Sequence, residues 1–372
     1  MNALSIDVVR PDQLSGSEVG AWRAFVWADP RLESPFFSPD YAAAAGRLAP
    51  GAAVAILRRD GRATGFLPYQ RRGRALQPLA APISDYHGLI LSPEETASPA
   101  EVLRRLSAAR YNSTAWVGPP PQGRVQVRRS MHAVLDDGFE AWRKARSKAN
   151  GSLKDKARRL RGLERDHGPP VFALHDPDPS ALEWLLARKR SQYRATAQHD
   201  VFACGWTSAV LRALVEARRP DFGGTVSTLR IGGRLIAAEF ALRDARTHHL
   251  WFPAYDPAYA KYSPGALLLI EAMRQAADEG ITRIDFGPDL ESYKGEFADP
   301  GQDVYEGVLL RSPKTAPIRG SATDRWTRWR FRIERRLGVI RACEADRLRA
   351  AAAAAASISA YGMKRMAGPT PG

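Results

Sequence analysis

The chain has 372 residues, 44% hydrophobic and 26% charged, which suits a soluble protein with room for two domains. Its 55 Lys and Arg against 40 Asp and Glu leave a net charge of +15. Such a surplus points to an anionic partner (a phosphate-rich ligand, a nucleic acid or an acidic lipid) or marks a solvated basic surface. The two cysteines, Cys204 and Cys343, exclude a disulfide framework and offer no metal spacing, so a reducing compartment and no metal are expected.

The start, MNALSIDVVRPDQL, lacks a basic segment followed by an apolar core, so no signal peptide is expected. No apolar run reaches the length of a bilayer span, and a cytoplasmic location follows as the expectation. Leu4 to Val9 reads as a strand and Gly16 to Ala28 as a helix carrying Trp22, Phe25 and Trp27. Ser38-Pro39-Asp40 has the chemistry of a helix start: a hydroxyl cap, a proline just inside and an acid in the first turn. Residues 52–70 then read as a hairpin about Asp60-Gly61. The pattern recurs at residues 225–242 about Gly232-Gly233, which suggests two copies of one folding unit.

Between the copies, residues 79–91 read as two strand-like pieces interrupted by Asp85, Tyr86 and His87. These three are candidates for binding substrate, or for a loop whose aspartate caps local amides. Residues 138–167 are loaded with Lys and Arg over a thin stripe of Leu153, Leu160 and Leu163. They read as one or two exposed helices broken near Asn150-Gly151, either a clamp for phosphates or a solvated face. Helices follow over residues 181–195 and 208–218, with His199 and Asp200 in the polar loop between them.

Thr247 to Tyr255 is an aromatic-rich strand candidate. Ser263-Pro264-Gly265 then opens an amphipathic helix that Gly280 stops, and Ile281 to Phe286 alternates as a strand. The first turn of a helix leaves amides unpaired and partly positive, and this triplet brings no bulky side chain to block them. Ser263, Pro264, Gly265, Ala266 and Leu267 are therefore candidates for holding a pyrophosphate, or form an ordinary helix start. Residues 312–317 read as a linker. Beyond them Arg325, Trp326, Arg328, Trp329, Arg332, Arg335 and Arg336 belong to a basic amphipathic helix. That tail fits an anionic membrane surface, a nucleotide stacked between arginines and tryptophans, or docking on the protein's own body.

Trp251 to Tyr262 (WFPAYDPAYAKY), Ser263-Pro264-Gly265, the helix from Ala266 to Gly280, Ile284-Asp285-Phe286-Gly287, Glu291, Tyr293, Lys294 and Phe297 together carry a resemblance. With the hairpin from Thr228 to Asp244, they resemble the FemAB-like, GNAT-type acyltransferases. They are closer still to the family described as involved in cellulose and exopolysaccharide biosynthesis, with its holdfast-type polysaccharide N-acetyltransferases. The resemblance extends over about residues 34–310. It implies an α+β fold of tandem GNAT-like domains, with mixed central sheets flanked by helices, a basic helical insertion and a C-terminal helical tail. The expected division is residues 1–137, 138–167, 168–311 and 312–372.

What the resemblance implies chemically is transfer of an acyl group from acetyl-CoA to an amine, here an amino sugar of an exopolysaccharide or its lipid-linked precursor. The protein would then work in the cytoplasm, with peripheral attachment to the inner membrane. Cyclic di-GMP at the basic tail is a further implied partner, and DNA is not expected. Glu239, in an otherwise apolar strand, is a candidate base because burial raises a carboxylate's pKa. Asp256, His248 and His249 are alternatives, with at most one of the two histidines facing the cleft. Tyr293 is the candidate acid, Lys294 a phosphate ligand, and Asp285 a structural tie. Ser-Pro-Gly departs from the Gly-x-Gly loops of ordinary GNAT enzymes, and FemAB proteins use aminoacyl-tRNA. An aminoacyl-tRNA-dependent transferase and a non-catalytic nucleotide- or membrane-binding module are the alternatives. No phosphate-binding Walker loop, HExxH motif or nucleophile elbow competes.

Overall fold

The computed structural model describes residues 3–149, 151–288, 293–312, 325–344, 346 and 348–355. In chain order the elements begin with β1 (Ser5–Val9), α1 (Gly16–Ala28), α2 (Pro39–Gly46), β2 (Ala52–Arg59), β3 (Arg62–Arg72), β4 (Ala75–Pro78) and β5 (Ile90–Leu91). Then come α3 (Pro99–Arg105), β6 (Arg110–Trp116), β7 (Gly123–Val134), α4 (Gly138–Ala149), α5 (Ser152–His167) and β8 (Pro170–Ala173). α6 (Pro179–Ala195), α7 (Trp206–Glu216), β9 (Phe222–Ile231), β10 (Arg234–Asp244) and β11 (Thr247–Tyr255) follow. The chain continues through α8 (Pro264–Asp278), β12 (Arg283–Pro288), β13 (Asp299–Leu310) and α9 (Arg325–Cys343).

All strands join one 13-stranded mixed sheet, ordered β1-β2-β3-β4-β6-β13-β7-β12-β11-β10-β9-β8, with β5 against β3. The order is a duplication. In each half an edge strand pairs antiparallel with a hairpin (β1 with β2/β3, β8 with β9/β10). A third strand pairs antiparallel with the hairpin, and a fourth runs parallel to the third after a helical crossover: β4–α3–β6 in one half, β11–α8–β12 in the other. Both hairpins turn on two residues of positive φ, Asp60-Gly61 and Gly232-Gly233, which matches the twist of the flanking strands. The halves then trade their last strands. β13 pairs with β6 of the first half, β7 pairs with β12 of the second, and the two pair with each other. The two central sheets expected from the sequence are thus one continuous sheet in a tandem GNAT-like arrangement.

Helices cover this sheet through cores of alternate strand positions. α6 and α7 bury Leu182, Leu185, Val210, Leu211 and Leu214 against Val226, Phe240, Leu242 and Phe252. α5 and α8 bury Leu163, Leu267 and Leu268 against Leu229, Ile231 and Ile236. At about 2 kcal/mol for each large apolar side chain removed from water, these contacts outweigh the weak helix propensity of Gly265 in the first turn of α8.

The basic segment forms two helices, α4 ending at Ala149 and α5 beginning at Ser152, as its sequence suggests. Residues 79–89 form a loop whose apolar members Leu79, Ala80, Ile83 and Tyr86 are buried, so only Ile90 and Leu91 pair as a strand. Residues 313–317 of the linker and Glu291 lie outside the described residues, as do the side chains of Arg325, Trp326, Arg328, Trp329 and Arg332. The end of α9 docks on the body. Ile340 and Cys343 are buried, Trp206 Nε1 donates to the Cys343 carbonyl at 3.1 Å, and Arg336 donates to the Ala197 carbonyl at 3.3 Å. Arg335 stands 3.3 Å from Glu306. Among the described residues no helix is long and apolar enough to cross a membrane.

Candidate active site

The parallel pair β11/β12 is held together for only three residues: Thr247, His248 and His249 face Arg283, Ile284 and Asp285. Beyond them the strands part, and a cleft of about 710 Å³ opens between Leu250–Tyr255 on one side and Phe286–Pro288 on the other. Its end is the turn into α8, where Ser263, Gly265 and Ala266 line the wall. Tyr293, Lys294 and Phe297 line the β12 side. Glu239 of β10 and Asp85 of the first half also reach the cavity.

The α8 corner is open. Ser263 sits in the left-handed region (φ 54°, ψ 54°), which costs a residue with a Cβ about 1 kcal/mol, and its hydroxyl caps no amide. Its carbonyl instead accepts from the amides of Ala266 (3.0 Å) and Leu267 (3.1 Å), and its own amide donates to Ala260. Pro264 has no amide proton. Among the described residues, that leaves the Gly265 amide of this turn without a backbone acceptor, beside an uncommitted hydroxyl and the partial charge of the helix end. The corner is therefore narrower than the sequence suggests. Pro264 and Leu267 are buried in the core, and Ser263, Gly265 and Ala266 alone face the cleft.

Glu239 is 5% exposed, and burial pushes its pKa up to about 8, against the opposing pull of His249 and Lys189. It is the one candidate base that is buried, facing the cleft and poised near neutrality. Asp256 is not: it caps the turn that follows β11, accepting from the Ala258 amide at 3.2 Å. Burial raises its pKa, but that amide and the guanidiniums of Arg234 (2.7 Å) and Arg188 (3.3 Å) outweigh it and hold the carboxyl below the usual range. Lys294 is 7% exposed and lines the cleft, and Tyr293 beside it is partly open to solvent.

The two histidines of β11 do part company. His248 is buried away from the cleft, with burial pushing its pKa down to about 3. His249 Nε2 lies 2.8 Å from Asp85 Oδ2, and its Nδ1 lies 3.3 Å from Asp285 Oδ1, an ion-pair contact rather than an aligned hydrogen bond. Burial alone would lower its pKa, but Asp285 and Asp85 raise it to about 9, so the imidazole is a cation and not a base. Asp285 also accepts from the Tyr86 hydroxyl at 2.9 Å and the Gly287 amide at 2.7 Å, which bears out a tying role with more partners than expected. Gly287 (φ 74°) stands where a Cβ would come within 3.1 Å of Asp85 Oδ2, so a side chain there would crowd the carboxylate that meets His249.

Of the three loop candidates, then, Asp85 lines the cleft, Tyr86 stands behind it, and His87 does not reach it. His87 points at Ser113, 2.8 Å away, and is packed against Tyr111 and Trp116. His199 and Asp200 lie off the cleft as well, Asp200 being paired with Arg190 at 2.8 Å. The far wall was missed by sequence reasoning. Lys189, Gln192 and Tyr193 of α6, with Thr196 at its C-terminal cap, line it at the helical spacing that marks one face. Of the basic helices only Lys156 reaches the cleft, 3.3 Å from Glu296.

Residues 147–295 match the family model described as an acetyltransferase (GNAT) domain. The chain carries a GNAT-type acyltransferase domain over that span, which contains β11, α8, β12 and most of the residues that line the cleft between them. No curated protein matches the chain. Among solved structures it is similar to the C-terminal domain of a putative lysylphosphatidylglycerol synthetase from Agrobacterium fabrum. The two are 13% identical over 80% of this chain and 93% of that one, with a TM-score of 0.50. It is also similar to a tandem GNAT protein from the clavulanic acid biosynthesis pathway (10% identical, 84% and 99% covered, TM-score 0.50). A conserved protein of unknown function from Bacteroides thetaiotaomicron is alike to the same degree (13% identical, 82% and 98% covered, TM-score 0.50). At such identities the likeness is one of fold.

Proposed function

We propose that this acyltransferase moves an acetyl group from acetyl-CoA to the amine of an amino sugar, in an exopolysaccharide or its lipid-linked precursor, at the cytoplasmic face of the membrane. The observation that carries the reading is the parting of β11 from β12 after His249. It puts an open helix start, a free strand edge and a buried Glu239 around one cavity.

The residues present fit a donor of this kind, since Gly265 offers an amide with no backbone acceptor among the described residues, and Ser263 a hydroxyl that caps no amide, to a pyrophosphate. Acetyl-CoA supplies an activated thioester. The edge of β11 beyond His249 offers backbone amides that stabilise negative charge on the reacting carbonyl. Glu239 takes the proton of the incoming ammonium, for which a pKa near 8 is suited. Tyr293 protonates the departing thiolate, and Lys294 holds an anionic group of donor or acceptor. Incubating the chain with acetyl-CoA and amino-sugar acceptors and measuring released free thiol tests the reading. Acceptor-dependent release supports it, and Tyr293→Phe is expected to lower kcat roughly tenfold or more with KM unchanged.

A second reading keeps the cleft and replaces the donor with an aminoacyl-tRNA. The fold likeness to a putative lysylphosphatidylglycerol synthetase and the cations Lys156 and Lys189 at the rim favour it. Acyl transfer from aminoacyl-tRNA with none from acetyl-CoA would decide for that reading.

A further inference from the structure

The two cysteines, 139 positions apart in sequence, meet in the fold: Cys343 Sγ lies 2.6 Å from Cys204 Sγ. Cys204 closes the loop between α6 and α7, and Cys343 ends α9. His199, in the same loop, and Glu344, next to Cys343, complete a cluster. Donor atoms of His199, Cys343 and Glu344 all lie within 4.8 Å of one another. The cluster is largely sheltered, with the side chains of His199 and Glu344 13% and 14% exposed. His199 Nε2 is sealed from solvent and has no hydrogen-bond partner among the described residues, and the nearest Glu344 oxygen stands 3.7 Å away. A buried ring nitrogen without a partner is a signature of a missing ligand.

We propose that His199, Cys204, Cys343 and Glu344 form a structural zinc site that pins the C-terminal helix to the α6–α7 loop. Thiolate sulfur, imidazole nitrogen and carboxylate oxygen are the donors that Zn²⁺ takes at about 2.0–2.3 Å in a four-coordinate shell. Donors around such an ion stand roughly 4 Å apart or less; those of His199, Cys343 and Glu344 already come within 4.8 Å of one another, and the two sulfurs, at 2.6 Å, part by about 1 Å to bind as separate thiolates. Two neighbouring sulfurs, an orphan ring nitrogen and a carboxylate together supply four donors of the kinds the ion takes. Binding displaces the thiol protons, and the charge of the ion is met by the two thiolates and the carboxylate. The site has a structural consequence beyond its own shell. Thr196 and Gln198 of the pinned loop line the active-site cleft, so the metal couples the placement of the tail to the shape of that wall.

The test uses the full chain, reduced and stripped of metal with a chelator, then titrated with Zn²⁺ alone. The expected result is one zinc per chain, with both cysteines protected from a thiol reagent until chelator is added, and a higher Tm when loaded. Replacing zinc with Co²⁺ should give the thiolate-to-cobalt charge-transfer band and tetrahedral ligand-field bands of a site with sulfur ligands. That spectrum reads the wild-type protein directly, so it stands even if Cys343→Ser or His199→Ala fails to fold. In folded variants the stoichiometry should fall toward zero. Absence of zinc uptake at micromolar metal overturns the proposal. So does zinc bound with both thiols still reactive, unchanged binding in folded variants, or a mass showing the cysteines joined as a disulfide in the protein as purified.

Discussion

Two helix starts in this molecule invite comparison, because duplication gave them the same place in the sheet. One begins α3, between the parallel strands β4 and β6, and reads Ser98-Pro99-Ala100-Glu101. The other begins α8, between β11 and β12, and reads Ser263-Pro264-Gly265-Ala266. Ser98 is extended (φ −87°, ψ 154°), and its hydroxyl accepts from the Glu101 amide at 3.2 Å. Glu101 adds a carboxylate to that first turn, so the positive end of the helix is already answered. Ser263 is left-handed, its hydroxyl caps nothing, and no acid sits in its first turn. The same position in a repeated fold is closed by its own side chains in one copy and left open in the other. Only the open one faces a cleft of reactive groups. An unmet helix end is weak testimony to a ligand, but it counts for more where its duplicate is met.

The comparison can be broken in several ways. The largest effect is expected from Glu239→Gln, which removes the base from the open cleft and should lower kcat/KM by roughly 10²–10⁴-fold. In the wild type the rate should rise with pH through about 8, as the carboxylate ionises, and the variant should lose that limb. The sign for stability is opposite. A carboxyl whose folded pKa is raised contributes stability below its unfolded value, near 4.5, and loses it as pH rises through about 8. Thermal unfolding of the variant should lack that decline.

Next in size is Ala266→Glu, which rebuilds the closed corner in the open one. A carboxylate in the first turn of α8 should weaken acetyl-CoA binding roughly tenfold, about 1.4 kcal/mol, in a calorimetric titration, with Tm little changed. Unaltered affinity would mean that the donor's charge rests elsewhere.

Asp85→Asn sharpens the picture of how the halves meet. His249 holds its proton because Asp285 and Asp85 flank it, so its contribution to stability is present below 6.5 and lost as pH rises through about 9. The variant should lose about 1–2 kcal/mol at pH 6, a figure discounted for the partial exposure of Asp85, and far less at pH 10. A loss independent of pH in denaturant unfolding would deny the imidazolium its role. The smallest effect is expected from Glu101→Ala, with under about 1 kcal/mol of stability lost and no change in donor affinity. A fall in affinity there would move the donor to the wrong half.

Much of the open unit was legible in the sequence. Asp60-Gly61 and Gly232-Gly233 marked both hairpins, and the run from Thr247 to Phe286 gave strand, turn, helix and strand close to their observed bounds. These are local signals of turn chemistry and periodicity. The exchange of β7 and β13 had none. β7 leaves Val127 and Val134 exposed among arginines, and its choice of neighbours is settled by the rest of the sheet. The pairing of His249 with Asp85, 164 positions away, was hidden for the same reason, and so was the meeting of Cys204 with Cys343. Asp256 misled because an acid at a strand end serves a base and a turn cap equally well in sequence, and only Arg234 and Arg188 reveal which it is. The kinship of Ser-Pro-Ala-Glu with Ser-Pro-Gly-Ala was in plain view, but it had no meaning until α3 was placed between parallel strands.

The most direct test is a crystal structure of the chain soaked with coenzyme A. The account predicts phosphate oxygens within hydrogen-bond reach of the Gly265 amide and the Ser263 hydroxyl, with the pantetheine arm between β11 and β12. Density for the ligand at any other place, with the α8 corner filled by water alone, would contradict it.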